Sequence, residues 1–302
     1  MTDAVVAIFG PTASGKTAVA ERVADVLGGE VISADSMQVY RGLPVLTNQP
    51  GRPTRLVGIW PLDHDGSVGA YQRLAHAAID ELLAAGRTPV LAGGTGLYLR
   101  AALAELDLPP APEPGVRERW EAFYEARGAD SAHAELAARH PAAAAAVHPN
   151  DRRRVVRALE LAAAGRSLSP PEDRLWGGAT RYSTVLVGLD VPKDVLERRV
   201  VARTRAMFER GVEEEVRRAL AEPISPTVRQ VLGLREVAEL GREAAIEAIV
   251  VRTLRYAAYQ RKWMRRLPGL VSVAADREPD EVAADILEVA RARQQVLARR
   301  AG

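Results

Sequence analysis

Eight consecutive residues near the start, Gly10-Pro11-Thr12-Ala13-Ser14-Gly15-Lys16-Thr17, follow the pattern G-x-x-x-x-G-K-[ST]. The glycines let the backbone turn so that successive N–H groups point at one anion. A helix opening behind them adds the positive end of its dipole. Lys16 can reach phosphate oxygens as a mobile point charge, and the Thr17 hydroxyl offers a ligand to Mg²⁺. The chemistry written here is phosphate binding. The structural alternative is a Gly-rich strand-to-helix turn that holds nothing. A kinase or NTPase is the default owner of such a loop, but a P-loop hydrolase also wants a carboxylate after an apolar strand to hold Mg²⁺. The strand-like run Pro89 to Ala92 ends instead in Gly93-Gly94-Thr95-Gly96, with no acid.

Asp35 is the second residue with chemical promise. It closes a short apolar run, Glu30 to Ser33, and so falls at the end of a strand in reach of the phosphate loop. A carboxylate there can act as a general base. It can also cap the helix that follows. Position alone leaves both roles open.

The elements that must hold these groups can be read from periodicity. Val5 to Phe9 is an apolar run entering the loop, and Ala18 to Leu27 repeats apolar residues at helical spacing, giving strand, loop, helix. Glu30–Ser33 and Thr88–Ala92 read as further strands, Tyr71–Ala85 as a helix ending at Gly86, and a helix opens at Leu97. Alternating strands and helices predict an α/β fold: a P-loop-type parallel sheet covered by helices on both faces. Ligands in such sheets gather at the carboxyl ends of the strands, where Asp35, Thr95 and the first loop all lie. A proline cluster, Leu108 to Pro114, marks a boundary. The segment from about Val116 to about Gly165 reads as wholly helical, and Tyr182–Val191 as a return to the sheet. Long helices are expected over Lys193–Leu220, Val228–Leu240 and Ala244–Leu267, with one more from Pro279. The domain reading is a core over 1–112, a smaller helical insertion over 113–178, and a second part of the core over 179–302.

Composition narrows the function. The 302 residues are 47% hydrophobic and 26% charged, an ordinary globular balance. No apolar run reaches the roughly 20 residues of a membrane span, and the first residues lack the basic-then-apolar order of a signal peptide, so a cytoplasmic protein is expected. Cysteine is absent, which excludes disulfides, thiolate catalysis and cysteine zinc sites. Lysine occurs only at Lys16, Lys193 and Lys262, a bias that follows base composition more simply than function. The net charge is only +2, but Arg198–Arg266 holds 15 Arg and 1 Lys against 9 Glu. Such an excess suits a phosphate-rich partner; it equally suits solvated helices.

Beyond the loop, the chain carries Ser33-Ala34-Asp35-Ser36-Met37-Gln38-Val39-Tyr40-Arg41-Gly42, then Gly93-Gly94-Thr95-Gly96-Leu97-Tyr98-Leu99, then His148-Pro149-Asn150-Asp151 leading to Arg157-Ala158-Leu159-Glu160. Gly211-Val212-Glu213-Glu214-Glu215-Val216, Arg229-Gln230-Val231-Leu232-Gly233-Leu234-Arg235, and Arg255-Tyr256-Ala257 with Gln260 and Trp263 follow. In this order, over about residues 5 to 265, these motifs resemble the tRNA dimethylallyltransferases. The resemblance implies transfer of a five-carbon prenyl group from dimethylallyl diphosphate to the exocyclic amine of the adenosine 3′ of a tRNA anticodon. It implies that Gly10–Thr17 holds the diphosphate, with Mg²⁺ at Thr17 as the cofactor. It makes Asp35 the general base and Thr12 an active-site threonine orienting Asp35 or the diphosphate. Lys16 and Arg229 become diphosphate ligands. Asp35, Ser36, Met37, Gln38, Thr95, Arg117, Arg153, Arg154, Arg157 and Arg235 fall at positions that touch tRNA, and a monomer is expected. By their three- and four-residue spacing, Arg252, Arg255, Tyr259, Lys262 and Arg266 share one helix face, which either meets RNA phosphates or is simply a solvated face.

The chain departs from that pattern at Leu46-Thr47-Asn48-Gln49-Pro50, where Gln49 replaces the usual lysine, and at Thr54-Arg55-Leu56, which replaces a His-His-Leu triplet. Ala258 and Tyr259 stand where Lys-Arg is typical, and the missing cysteines exclude the zinc finger of eukaryotic members. Two other classes fit parts of the sequence: a P-loop enzyme acting on a small molecule (free AMP, or a kinase substrate), and a nucleotide-gated RNA-binding protein that leaves no modification.

Overall fold

Strand β1, Ala4–Phe9, is buried along its whole length, as a central strand of a parallel sheet must be. It enters helix α1, Lys16–Leu27, through the Gly10–Gly15 loop. Then come β2, Glu30–Ser33, α2, Val68–Ala84, β3, Pro89–Gly93, and α3, Gly96–Leu103. Next are α4, Val116–Arg139, α5, Pro141–Ala145, and α6, Arg152–Ala163. The chain continues with β4, Ser183–Asp190, α7, Lys193–Glu209, α8, Val212–Leu220, a single 3₁₀ turn at Val228–Gln230, and α9, Leu234–Glu239. It ends with α10, Arg242–Arg266, β5, Val271–Ala274, and α11, Pro279–Ala301. This computed structural model describes residues 4–108, 113, 115–166, 175 and 177–301, with side chains to 293.

The five strands form one parallel sheet in the order β2-β3-β1-β4-β5. Side chains of β1 and β4 such as Val6, Ile8, Val187 and Leu189 pack with α1 and α11 in one apolar cluster. Helices α2 and α3 pack on each other and on β1 and β3. The α/β fold class expected from the sequence is the one observed. Two compact units divide the chain: residues 1–105 with 178–302, and residues 106–177. The second unit has its own core, in which Trp120, Ala132, Leu136, Val155 and Leu159 meet between α4 and α6. The proline-rich boundary at Leu108 to Pro114 lies outside the described residues, apart from Leu108 and Glu113.

Three elements differ from the sequence reading. The helix expected over Lys193–Leu220 is two helices, broken at Gly211, where φ is 82°. The helix expected over Val228–Leu240 is a 3₁₀ turn and the short α9, separated at Gly233, where φ is 94°. Helical periodicity runs through both breaks because the flanking helices bury the same side, and a positive φ is invisible to periodicity. Strand β5 was hidden because three of its four residues are exposed. Its place is set by pairing with β4, Val187 to Asp190 against Val271 to Ala274. Among the described residues, no helix is long and apolar enough to cross a membrane.

Candidate active site

The loop after β1 and the start of α1 form one wall of a cavity of about 420 Å³ in the first unit. Thr12, Ala13, Gly15, Lys16 and Thr17 line it, as do Asp35, Met37 and Gln38 from the segment after β2. In the loop, Ala13 adopts φ 62° and Gly15 φ 88°. A non-glycine residue in that region costs about 1 kcal/mol, and a bound anion would offset it by accepting from the amides of the turn. Ser14 is 1% exposed, and its Oγ has no hydrogen-bond partner among the described residues. Lys16 Nζ donates to the Pro11 carbonyl at 2.7 Å, which folds it back over the loop. Burial lowers its ammonium to about 8, the Asp35 carboxylate opposing that fall and Arg203 adding to it.

Asp35 does two things at once. Its Oδ1 accepts the Met37 N–H at 2.9 Å, fixing the turn after β2, and it faces the cavity. The turn-forming and catalytic readings are therefore compatible. Ser36 is tied to the end of β3, its N–H donating to Thr95 Oγ1 at 3.3 Å, and Thr95 Oγ1 lies 3.4 Å from Tyr256 Oη. Desolvation raises the Tyr256 phenol to about 12, so it stays neutral. Gln38 donates from Nε2 to the Asn48 carbonyl at 2.9 Å and accepts from Ser33 Oγ.

The guanidinium groups at the cavity come from α7, not from the turn at Val228–Gln230. Arg229 is exposed and is not among the lining residues, whereas Val231 and Leu232 of the same loop are. Arg199 and Arg203 line the cavity instead. Burial lowers the Arg203 guanidinium, with the Asp35 carboxylate opposing, and its buried Nε has no hydrogen-bond partner among the described residues. A buried guanidinium N–H at the cavity wall can donate to an anionic oxygen. A signal for Arg203 existed in the sequence. The buried residues of α7 include Leu196, Val200 and Met207, and position 203 falls on that same stripe.

The departures at residues 46–50 and 54–56 have structural occupations. Gln49 Nε2 donates to the Tyr40 and Gln38 carbonyls, at 2.7 and 3.2 Å. Arg55 pairs with Glu30 and Glu81. Glu215, 4% exposed, accepts the Val45 and Leu46 N–H groups at 2.8 and 2.7 Å, so α8 holds the Leu46–Asn48 wall of the cavity.

The remaining RNA candidates lie elsewhere. In the second unit, Arg117 and Arg157 both pair with the buried Glu160, at 2.9 and 2.7 Å, while Arg153 and Arg154 are exposed on the first turn of α6. In the first unit, Arg235 pairs with Glu239 at 2.8 Å. On α10, Arg252 pairs with Glu236, and Arg255, Tyr259, Lys262 and Arg266 are exposed.

A family model described as IPP transferase matches residues 38–267. The chain belongs to the IPP transferase family. A second family model, described as Isopentenyl transferase, matches residues 3–56. Similar curated proteins include the tRNA dimethylallyltransferase of Anaeromyxobacter dehalogenans (strain 2CP-C), 42% identical over 92% of this chain and 97% of that protein. That of Streptomyces coelicolor is 42% identical over 87% of this chain and 88% of that protein. Among solved structures, the tRNA isopentenylpyrophosphate transferase of Bacillus halodurans matches with a TM-score of 0.66 and 32% identity, covering 97% of this chain and 99% of that one. A eukaryotic dimethylallyltransferase acting on tRNA matches with a TM-score of 0.75 and 26% identity, covering 90% and 74%. Within the IPP transferase family framework, the cavity is where the family's motifs converge: the phosphate loop, the Asp35 segment, the Gly93–Gly96 loop and α10 all reach it.

Proposed function

We propose that this chain transfers a dimethylallyl group from dimethylallyl diphosphate to N6 of the adenosine 3′ of a tRNA anticodon, releasing diphosphate. The observation that carries the reading is one cavity holding a phosphate loop, two arginines and a carboxylate together, in a chain whose full-length relatives are named tRNA dimethylallyltransferases.

The reaction breaks the C1–O bond of the donor and forms a C1–N6 bond. Negative charge grows on the departing diphosphate, where Lys16, Arg199, Arg203 and the loop amides stabilise it. Leu46, Val231, Leu232 and Met37 supply the apolar wall that keeps water from the allylic carbon. Asp35 accepts a hydrogen bond from N6 and takes its proton as the new bond forms. An adenine must leave its stack to enter, which costs less in an anticodon loop than in a duplex. The exposed Arg153, Arg154, Arg255 and Lys262 are cations for RNA phosphates.

A Mg²⁺ ion fits the residues present. Among the described residues, no cluster of three His, Asp or Glu exists to cage a metal. Mg²⁺ on phosphates needs only one or two protein ligands, and the Thr17 hydroxyl at the cavity supplies one. Bound there, it would neutralise diphosphate charge. The same reading makes the protein a cytoplasmic monomer.

Two measurements test this. Unmodified tRNA incubated with dimethylallyl diphosphate should gain one prenyl unit on adenosine, seen by nucleoside mass; prenylation of free AMP alone, or ATP turnover alone, would contradict the reading. The second is a pH dependence. Lys16 has its pKa near 8 in the free protein and is protonated beside a bound diphosphate, so binding takes up a proton above pH 8. Donor affinity should be level from pH 7 to 7.5 and fall about tenfold per unit above pH 8. Affinity that stays level to pH 9.5 would remove Lys16 from the anion.

A further inference from the structure

Helix α10 presents Tyr256, Gln260 and Trp263, spaced four and three residues apart, to the loop between β3 and α3. Gln260 is 2% exposed and spends both ends of its amide. Its Nε2 donates to the Gly94 carbonyl at 2.9 Å. Its Oε1 accepts the Thr12 N–H at 2.8 Å. The reversed amide would set two donors against each other at Thr12 and two acceptors at Gly94, so the partners fix its orientation. A Cβ on Gly94 would stand 2.2 Å from Gln260 Nε2, and one on Gly96 would stand 2.2 Å from Trp263 Cε3. Gly94 and Gly96 thus form a landing for α10, while Gly93 lies against Ala34.

The consequence falls on the phosphate loop. Strands β1 and β3 are neighbours, and the loops leaving their carboxyl ends carry Thr12 and Thr95 into the site. One buried amide bridges these loops. It also occupies the Thr12 N–H, leaving the Thr12 side chain as that residue's group for the cavity. We propose that Gln260 is a positioning residue of the transfer reaction: it sets the spacing between the phosphate loop at Thr12 and the end of β3 at Gly94, and so aims Thr12 at the reacting atoms. This rests on the reading of the cavity as the prenyl-transfer site. Exposed neighbours on the same helix, Arg255, Tyr259 and Lys262, place Gln260 directly beneath a face suited to RNA.

The test uses Gln260→Met, which keeps the volume and loses both bonds, and Gln260→Glu, which keeps an acceptor for Thr12. Single-turnover transfer to an anticodon stem-loop is measured beside donor KM, stem-loop Kd and thermal melting. Gln260→Met should lower kcat about 10- to 100-fold, the cost of a displacement near 1 Å at a reacting centre. Stem-loop Kd should stay within about twofold and melting should remain cooperative. Gln260→Glu should fall between the two. In a Thr12→Ala background, Gln260→Met should cost less than about threefold more, because the two act on one element. Unchanged kcat in Gln260→Met, or losses that simply multiply with Thr12→Ala, would overturn the proposal. If Gln260→Met does not fold, Gln260→Glu and its combination with Thr12→Ala carry the same test. Wild-type protein that leaves the stem-loop unmodified would sink the transfer reading itself; active wild type with an unaltered Gln260→Met sinks only the positioning role.

Discussion

Asp35→Asn should lower the rate of prenyl transfer about 10²- to 10⁴-fold, the usual worth of a placed general base. Donor and tRNA affinity should change little. The asparagine keeps an oxygen for the Met37 N–H that Asp35 now binds at 2.9 Å, so the turn after β2 survives. What it loses is the ability to accept a proton from N6. The discriminating measurement is single-turnover rate beside stem-loop Kd. If RNA binding collapses while the bound complex reacts at the normal rate, Asp35 serves the turn and the RNA, and the proton leaves by another route. The amide also removes the negative charge that opposes deprotonation of Lys16. In the variant, the loss of donor affinity with rising pH should therefore begin earlier than in the wild type.

Arg203→Ala should cost about 10²- to 10³-fold in kcat/KM for the donor, comparable to removing one donor from a preorganised oxyanion site. Its Nε is buried with no hydrogen-bond partner among the described residues, so a departing diphosphate meets a group already desolvated and waiting. Arg203→Lys should recover only part of the loss, because an ammonium cannot offer the planar fork of a guanidinium. Arg229→Ala should leave donor KM unaltered, since Arg229 is exposed and outside the cavity wall. The reverse pattern, a donor defect at 229 and none at 203, would mean that the loop at Val228–Gly233 rearranges to bind the diphosphate.

The contrast between these two arginines shows what the sequence could carry. Residues that act through backbone conformation announced themselves: Gly10 to Thr17 can be read directly, because a nest followed by a helix requires those types at that spacing. Asp35 was legible as a strand-end carboxylate, and its pairing with Met37 shows why position alone left two roles open. Arg203 was not separated from the 14 other arginines between residues 198 and 266, because residue type says nothing about which side of α7 faces the cavity. Its place on the stripe of Leu196, Val200 and Met207 was the available clue. Gln260 was out of reach for another reason. It joins residues 248 and 166 positions away in the chain, and such pairings follow from tertiary packing.

The elements divide in the same way. Strands β1 to β4 and helices α1, α2 and α10 are long or strongly patterned, and they appear close to where periodicity put them. The breaks at Gly211 and Gly233 were missed because a single residue at positive φ interrupts a helix without disturbing its apolar stripe. Strand β5 was missed because an edge strand of four residues with one buried side chain has no pattern to read. The departures at Gln49 and Arg55 also gain a physical account. Both brace the segment between β2 and α2, through backbone carbonyls and through Glu30 and Glu81.

The most direct test of the whole account is a structure of the protein with an anticodon stem-loop and an unreactive dimethylallyl diphosphate analogue. Diphosphate oxygens are expected on amides of the Ala13–Thr17 segment, Lys16 and Arg203, with the adenine N6 within hydrogen-bond reach of an Asp35 carboxylate oxygen. A purine nucleotide seated in that loop, with Asp35 directed away from the RNA base, would contradict it.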